Sequence, residues 1–407
     1  MFEVTDKERG SGARAGVLKI GNMTARTPFF MPVATKAAPR YISSKDLEEL
    51  GAKAIISNAL MLHLHPGTDV IKQAGGIRGF MNFRGIVFTD CGGFQILRKG
   101  LFLGIKEEGI KFRSPFDGKK VLLTPELSIH IQEELGSEAA MCLDYCAPYG
   151  SSREEAEDAM KKTHSWAVRS KNAHSLKSQM LFGIAQGNFY KDLRVESMKF
   201  IADIGFDGIS LGGLFIGEPK KISYEMIRAS IRYAPEEKPR YIMGLGSPED
   251  IVKSVSLGID IFDSVYPVEN ARHGTLFTWN GKLHIDNRKY KNDFRPIEEG
   301  CGCYTCRHYT RAYLHHLLKT DEPLGFRLRI YHNLYFMQHL MERIRGSIVD
   351  GSFHELSKHI ISVYSGEDPE NSMESNVSNR ITVLRRDDER DEQKNAADTI
   401  PSEDRNV

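Results

Sequence analysis

At 407 residues, with 41% hydrophobic and 27% charged residues, the chain has the makeup of a globular protein, large enough for one barrel-sized domain or two ordinary ones. A formal net charge of +1 excludes an argument for nucleic-acid binding from bulk charge, so a basic surface has to be found by position. No apolar run approaches the ~20 residues of a membrane span, and the opening segment 1–16 lacks the apolar core of a secretion signal, so a cytoplasmic protein with no membrane association is expected.

From about residue 28 to 267, short apolar runs alternate with amphipathic stretches, as in repeated βα units. The predicted strands are Phe29 to Ala34, Lys53 to Asn58, Ile86 to Thr89, Ala139 to Leu143, Met180 to Ala185, Gly208 to Leu211, Tyr241 to Gly244 and Ile259 to Val265. Eight near-continuous apolar strands predict an α/β fold, a (β/α)8 TIM barrel, because a parallel sheet is covered on both sides. No G-x-G-x-x-G loop favours a doubly wound dinucleotide fold instead. Helix starts are legible at Ser43 with Asp46, Ser152 with Glu155, Ser247 with Asp250, and Thr124-Pro125; Gly51, Gly136, Gly205 and Gly258 mark helix ends.

Residues 77 to 123 interrupt this rhythm with a hairpin-like Phe116-Asp117-Gly118-Lys119, an expected insertion over the barrel mouth. Beyond residue 280 the rhythm stops. Cys301, Cys303 and Cys306 read as a metal site and not a disulfide framework. Spacing leaves the fourth ligand open among His308, His315, His316 and His332. Lys282, Arg288, Lys289, Lys291, Arg295, Arg307, Arg311, Arg327 and Arg329 surround the segment and can form a basic face for phosphates, or an ordinary solvated surface. Phe336 to Ile348 predicts an amphipathic helix that packs back as the last barrel helix. The expected organisation is a barrel domain over residues 1–366, with a zinc-binding segment at about 285–335 inserted before the last helix, and a disordered polar tail over 367–407.

A barrel places its active site at the C-terminal ends of the strands. Asp90, Asp144 and Asp263 stand there, with Gln186 after Phe-Gly-Ile-Ala and Gly212-Gly213 after Ile-Ser-Leu. Each aspartate alone could be a helix cap; several at one mouth point to chemistry. A carboxylate can attack an anomeric carbon while a second carboxyl acts as acid and then base. A third, with a glutamine, suits the edge of a guanine, and glycines let backbone amides approach a flat ligand.

The segments Phe88-Thr-Asp-Cys-Gly-Gly-Phe-Gln95, Met141-Cys-Leu-Asp144, Phe182-Gly-Ile-Ala-Gln-Gly187, Leu211-Gly-Gly-Leu-Phe-Ile-Gly-Glu218, Tyr241-Ile-Met-Gly-Leu-Gly246 and Phe262-Asp-Ser-Val-Tyr-Pro267 stand in an order that resembles the motif series of tRNA-guanine transglycosylases (queuine tRNA-ribosyltransferases) of the bacterial type, over roughly residues 1–350. The resemblance implies a pentosyltransferase of queuosine-type tRNA modification. It would exchange guanine, at wobble position 34, for a 7-deazaguanine: preQ1, preQ0 or queuine. Asp263 would be the nucleophile on C1′ and Asp90 the general acid and base. Asp90, Cys91, Gly92, Gly93, Phe94, Asp144, Gln186, Gly213 and Met243 would bind the base, with Phe94 and Met243 sandwiching its faces; simple core packing is the alternative for those two.

RNA contacts are implied for Gly244, Leu245, Gly246, Ser247, Pro248, Glu249 and Asp250, and for the loop Val268, Glu269, Asn270, Ala271 and Arg272. The family's His-Asn-Leu motif selects His332 as the fourth ligand, completing a closed structural Zn2+ site with one ion per chain. The implied partners are tRNA, the base and a second copy in a homodimer.

Three departures from the bacterial pattern bear on substrate identity. Cys91 stands where a serine is usual, and Phe215 and Ile216 add bulk to a glycine-flanked loop, arguing for a small incoming base. Glu269 stands where a basic residue is common, which weakens the assignment to position 34. The alternatives are exchange at tRNA position 15, exchange in DNA, and a non-catalytic RNA-binding paralogue.

Overall fold

The computed structural model describes residues 1–97 and 100–365; the expected tail lies outside the described residues. The eight apolar runs form eight parallel strands: β1 (Phe29–Pro32), β2 (Ala54–Asn58), β3 (Ile86–Asp90), β4 (Ala139–Met141), β5 (Met180–Ala185), β6 (Gly208–Leu211), β7 (Arg240–Ile242) and β8 (Ile261–Ser264). From β2 onward each pairs with the next in sequence, and β8 pairs with β1. A parallel bridge from Val33 to Ile56, with Ala34 N donating to Ile56 O at 2.7 Å, joins β1 to β2 and closes the barrel.

Its interior is filled by side chains from alternate strands, as a closed eight-stranded sheet requires. The Phe88 ring of β3 meets Phe29 of β1 at 6.3 Å, Phe182 of β5 at 5.5 Å and Tyr241 of β7 at 6.3 Å. These four rings make one layer beneath the mouth.

The helix starts follow their caps. Ser43 with Asp46 and Ser152 with Glu155 form reciprocal capping boxes, and Thr124 caps a helix with Pro125 in its first turn. Ser247 accepts from Asp250 N, but its box is replaced by a hydroxyl-to-carboxylate bond to the same residue. Gly51, Gly136, Gly205 and Gly258 all have positive φ, the backbone shape that ends a helix without a Cβ clash.

The interruption after β3 is a short helix, Gly93–Ile96, and an antiparallel sheet of Phe102–Ile105, Ile110–Arg113 and Lys120–Leu123. Phe116 to Lys119 form the turn between its last two strands, closed by Ser114 N to Lys119 O at 2.8 Å. The last barrel helix is longer than expected, Pro323–Asp350, and docks on β1 through Gln338 Nε2 to Phe30 O at 3.1 Å.

An element absent from the sequence reading is a three-stranded antiparallel sheet of Phe2–Lys7, Arg14–Ile20 and Met23–Thr27. It is anchored at the N-terminal end of β8 by a buried ion pair. Arg14 donates to both Asp260 oxygens at 2.9 and 2.6 Å and to the carbonyls of Glu236 and Lys238, while Arg240 N donates to Asp260 Oδ2 at 2.7 Å. Arg14 is 3% exposed and Asp260 not at all. Asp260→Ala would strand a guanidinium without its counter-ion, so a loss of about 3–5 kcal/mol is expected in chemical denaturation. A change below about 1 kcal/mol would show that the pair is not needed.

Candidate active site and metal centre

Each polar residue singled out from the sequence sits at or just beyond the C-terminal end of a strand: Asp90 on β3, Asp144 after β4, Gln186 after β5, Gly212 and Gly213 after β6, Met243 and Gly244 after β7, and Asp263 on β8. Closure of the barrel therefore turns residues as far apart in the chain as Asp90 and Asp263 toward one mouth.

One group forms around Asp144. Its Oδ2 accepts from Gln186 Nε2 at 2.6 Å, and the Cys91 thiol reaches Oδ1 at 3.7 Å. Burial raises the Asp144 carboxyl above the usual carboxylate range, and these two donors oppose that shift. Gly213 completes the group: φ is +65°, and a Cβ there would stand 2.6 Å from Gln186 Oε1 and 3.0 Å from Cys146 Sγ. Only glycine brings the backbone so close to the amide. Three ligand-facing types thus converge: a carboxylate, an amide and a backbone.

The second group forms around Asp263. Tyr241 OH donates to Oδ1 at 2.5 Å and Gly244 N donates to the same atom at 2.8 Å. No described residue donates to Oδ2. Burial pushes this carboxyl up as well, and the two donors to Oδ1 oppose it. The arrangement holds one oxygen and leaves the lone pairs of the other for an electrophile. Asp90 accepts from Gly92 N at 2.9 Å, and its charge acts on Tyr241, which links it to this group. Gly92 itself is crowded, for a Cβ there would meet Leu60 Cβ at 2.4 Å.

Phe94 is 56% exposed on the Gly93–Ile96 helix, which removes core packing as its explanation; Met243 is half-buried against the core. Two residues were missed from sequence. Tyr241 was read only as part of a motif, although a strand residue two positions before the mouth residue Met243 faces the same interior. Asn58, 1% exposed at the end of β2, accepts from Met61 N at its Oδ1 but has no partner for Nδ2 among the described residues. Its signal was a polar residue ending an apolar strand, the criterion applied to the other strands.

Phe215 requires a correction. It is 9% exposed with its ring edge-on to Tyr224 at 5.4 Å, and its backbone N donates to Glu218. Its bulk packs on the following helix, so the size argument built on it loses its basis; Ile216 is half-buried and donates its N–H to Glu218 Oε2 at 2.9 Å.

The segment Gly244 to Asp250 is mostly interior. Leu245, Gly246, Ser247, Pro248, Glu249 and Asp250 are buried and Gly244 is exposed. Lys220 Nζ bridges Glu249 at 3.1 Å and Asp250 at 2.8 Å. Val268 to Arg272, expected as a loop, belongs to a helix, Tyr266–Arg272, with Pro267 in its first turn. Val268 and Ala271 face inward, whereas Glu269, Asn270 and Arg272 are half-exposed. Glu269 lies in the first turn, where the helix dipole favours an acid.

Cys301, Cys303, Cys306 and His332 come together with ligand atoms within 4.8 Å of one another. His332 Nδ1 lies 4.0, 3.5 and 3.4 Å from the three sulfurs. A tetrahedral ion with bonds of about 2.3 Å to sulfur and about 2.0 Å to nitrogen needs edges of about this length. The other imidazole nitrogen is 2.8 Å from Phe277 O, which orients Nδ1 toward the sulfurs. The cluster can hold one metal ion. Of the rival histidines, His315 is buried with Nδ1 on Ile285 O at 2.7 Å, and His308 and His316 are exposed.

The basic surface is smaller than the sequence implied. Lys282, Arg288, Lys289, Lys291, Arg295 and Arg307 are exposed, but Arg295 and Arg311 bind Asp293, Arg327 binds Asp46, and Arg329 is fully buried beneath Ala271 O. Spacing does not register a pairing such as Arg327 with Asp46, 281 positions apart. Among the described residues, no helix is long and apolar enough to cross a membrane.

Residues 8–366 match the profile of the family described as queuine tRNA-ribosyltransferase. The chain is 46% identical over 364 residues to the queuine tRNA-ribosyltransferase of Thermotoga maritima, covering 89% of this chain and 98% of that protein. With the proteins of that name from Desulforamulus reducens and Francisella tularensis subsp. novicida it shares 44%, over 89% of this chain and 98% of each.

Proposed function

Because the chain belongs to the queuine tRNA-ribosyltransferase family, we propose that it exchanges guanine at the wobble position of tRNA for a 7-deazaguanine base by double displacement. The observation that carries this reading is the Asp263 carboxylate, with Oδ1 held by Tyr241 and Gly244 and Oδ2 left for attack at a mouth that also presents a base-edge reader.

In the first displacement Asp263 Oδ2 bonds to ribose C1′ and the C1′–N9 bond breaks. The electron pair leaves with guanine, and Asp90 supplies the proton that neutralises it. Guanine departs and the new base enters. Asp90, now a carboxylate, takes the proton from its ring nitrogen, which attacks C1′ and expels the Asp263 oxygen. Two inversions retain the configuration at C1′. Asp144, Gln186 and the Gly213 backbone hold the base edge, supported by their mutual contacts. The exposed Phe94 ring and Met243 cover its faces, and Cys91, Gly92 and Gly93 shape its floor.

The thiolate and imidazole set suits Zn2+, and with four protein ligands the ion would brace the segment and leave no position for water. Cys303→Ala is expected to lose the metal, measured by atomic absorption, and to lower the melting temperature. Full metal content in that variant would remove Cys303 from the ligand set. Gly244, Glu269, Asn270 and Arg272, with the exposed Lys282, Arg288, Lys289, Lys291 and Arg307, would meet RNA in this reading. A homodimer is part of the same reading.

Nucleoside mass spectrometry of tRNA incubated with preQ1, preQ0 or queuine tests the reading. A new 7-deazaguanosine at position 34 is expected with at least one base. Unmodified tRNA with all three would refute it, and modification at position 15 would move the address.

A further inference from the structure

Arg194 has no role in the reaction above and is an unusual residue for its place. It sits on the helix Lys191–Asp203 that follows β5, on the face that otherwise carries Leu193, Ser197, Met198 and Ile201, and it is 0% exposed. A buried guanidinium normally has a carboxylate partner, because desolvating the charge is costly. Arg194 has none. It donates Nε to Asn188 O at 2.6 Å, one NH2 group to Ala185 O at 3.3 Å and Gly212 O at 2.7 Å, and the other to Gly213 O at 3.0 Å. Burial pulls it down to about 10, so it remains charged at neutral pH.

Those carbonyls belong to the ends of two strands that carry base-reading groups. Asn188 extends the tie to a third, since its Nδ2 donates to Ala147 O at 3.3 Å and Pro148 O at 2.9 Å, just beyond Asp144. One cation therefore joins the loops that bear Asp144, Gln186 and Gly213. One turn further along the helix, Ser197 Oγ accepts from Gln186 N at 3.0 Å and fixes the same strand end.

Peptide planarity gives the contact a direction. In a trans peptide the C=O and the next N–H point opposite ways. Holding Gly212 O and Gly213 O on the guanidinium therefore turns Gly213 N–H and Leu214 N–H away from it. Neither N–H has an acceptor among the described residues. They are two oriented donors beside the Asp144 and Gln186 pair, suited to a carbonyl oxygen on a purine or 7-deazapurine ring.

We propose that Arg194 is a positioning residue for base recognition, holding Gly213 N–H and Leu214 N–H toward the base through the Gly212 and Gly213 carbonyls. This rests on the exchange activity proposed above. The test is steady-state exchange of labelled guanine into tRNA by the wild type, Arg194→Met and Arg194→Lys, varying guanine and tRNA in turn. A lysine keeps the buried charge but cannot span four carbonyls from one nitrogen.

The KM for guanine is expected to rise about tenfold in both variants while the KM for tRNA stays within about twofold. A residue needed only for folding would lower the melting temperature and leave the ratio of the two KM values unchanged. That result in either folded variant overturns the proposal. If Arg194→Met does not fold, Arg194→Lys carries the same readout. Absence of exchange in the wild type would refute the activity, and this inference with it; exchange with an unchanged KM ratio refutes the inference alone.

Discussion

Asp263→Asn is expected to abolish the covalent RNA adduct on a denaturing gel and to lower guanine exchange by roughly 10⁴-fold or more, the scale on which a lost nucleophile is felt. The substitution is isosteric, and the amide oxygen can still accept from Tyr241 OH and Gly244 N, which now hold Oδ1. What changes is the other atom: an NH2 group replaces the oxygen that no described residue engages. Fold and melting temperature should therefore be preserved while chemistry is lost. An adduct at the wild-type level would show that another group attacks C1′.

Asp90→Asn is expected to slow exchange by about 10²–10⁴-fold, the usual contribution of a positioned acid and base. Asn can keep the bond from Gly92 N, now 2.9 Å from Asp90 Oδ1, so the loop should stay in place. The defect should appear in single-turnover measurements as slow formation of the Asp263 adduct, because the leaving guanine receives no proton. Exchange within about twofold of the wild type would remove Asp90 from the reaction.

The barrel was legible because both faces of its strands are apolar, which produces runs too continuous to be half-exposed, and because polar residues stop those runs at one end. That rule found Asp90, Gln186 and Asp263 but was not applied to Asn58, which obeys it. The N-terminal sheet was hidden by charges: Glu3, Asp6, Lys7 and Arg14 break up its apolar residues. Arg14 is in fact balanced by Asp260, 246 positions away. Arg194 and Arg329 share that difficulty, since a cation held by distant carbonyls looks like a surface cation until the chain is folded. The same distance hid the fourth metal ligand from spacing alone, because His332 lies 26 residues beyond Cys306, past three closer histidines.

Glu269 changes meaning in the structure. At the start of the Tyr266–Arg272 helix it has a local electrostatic reason to be acidic, so its departure from the family pattern does not by itself move the modified position.

Incubating purified enzyme with tRNA and labelled guanine, followed by mapping of the labelled nucleotide, tests the central claim most directly. Label entering tRNA at position 34, with release of one unlabelled guanine for each one incorporated, is the result the proposed chemistry requires. Adequately folded protein that incorporates no label into tRNA would contradict it.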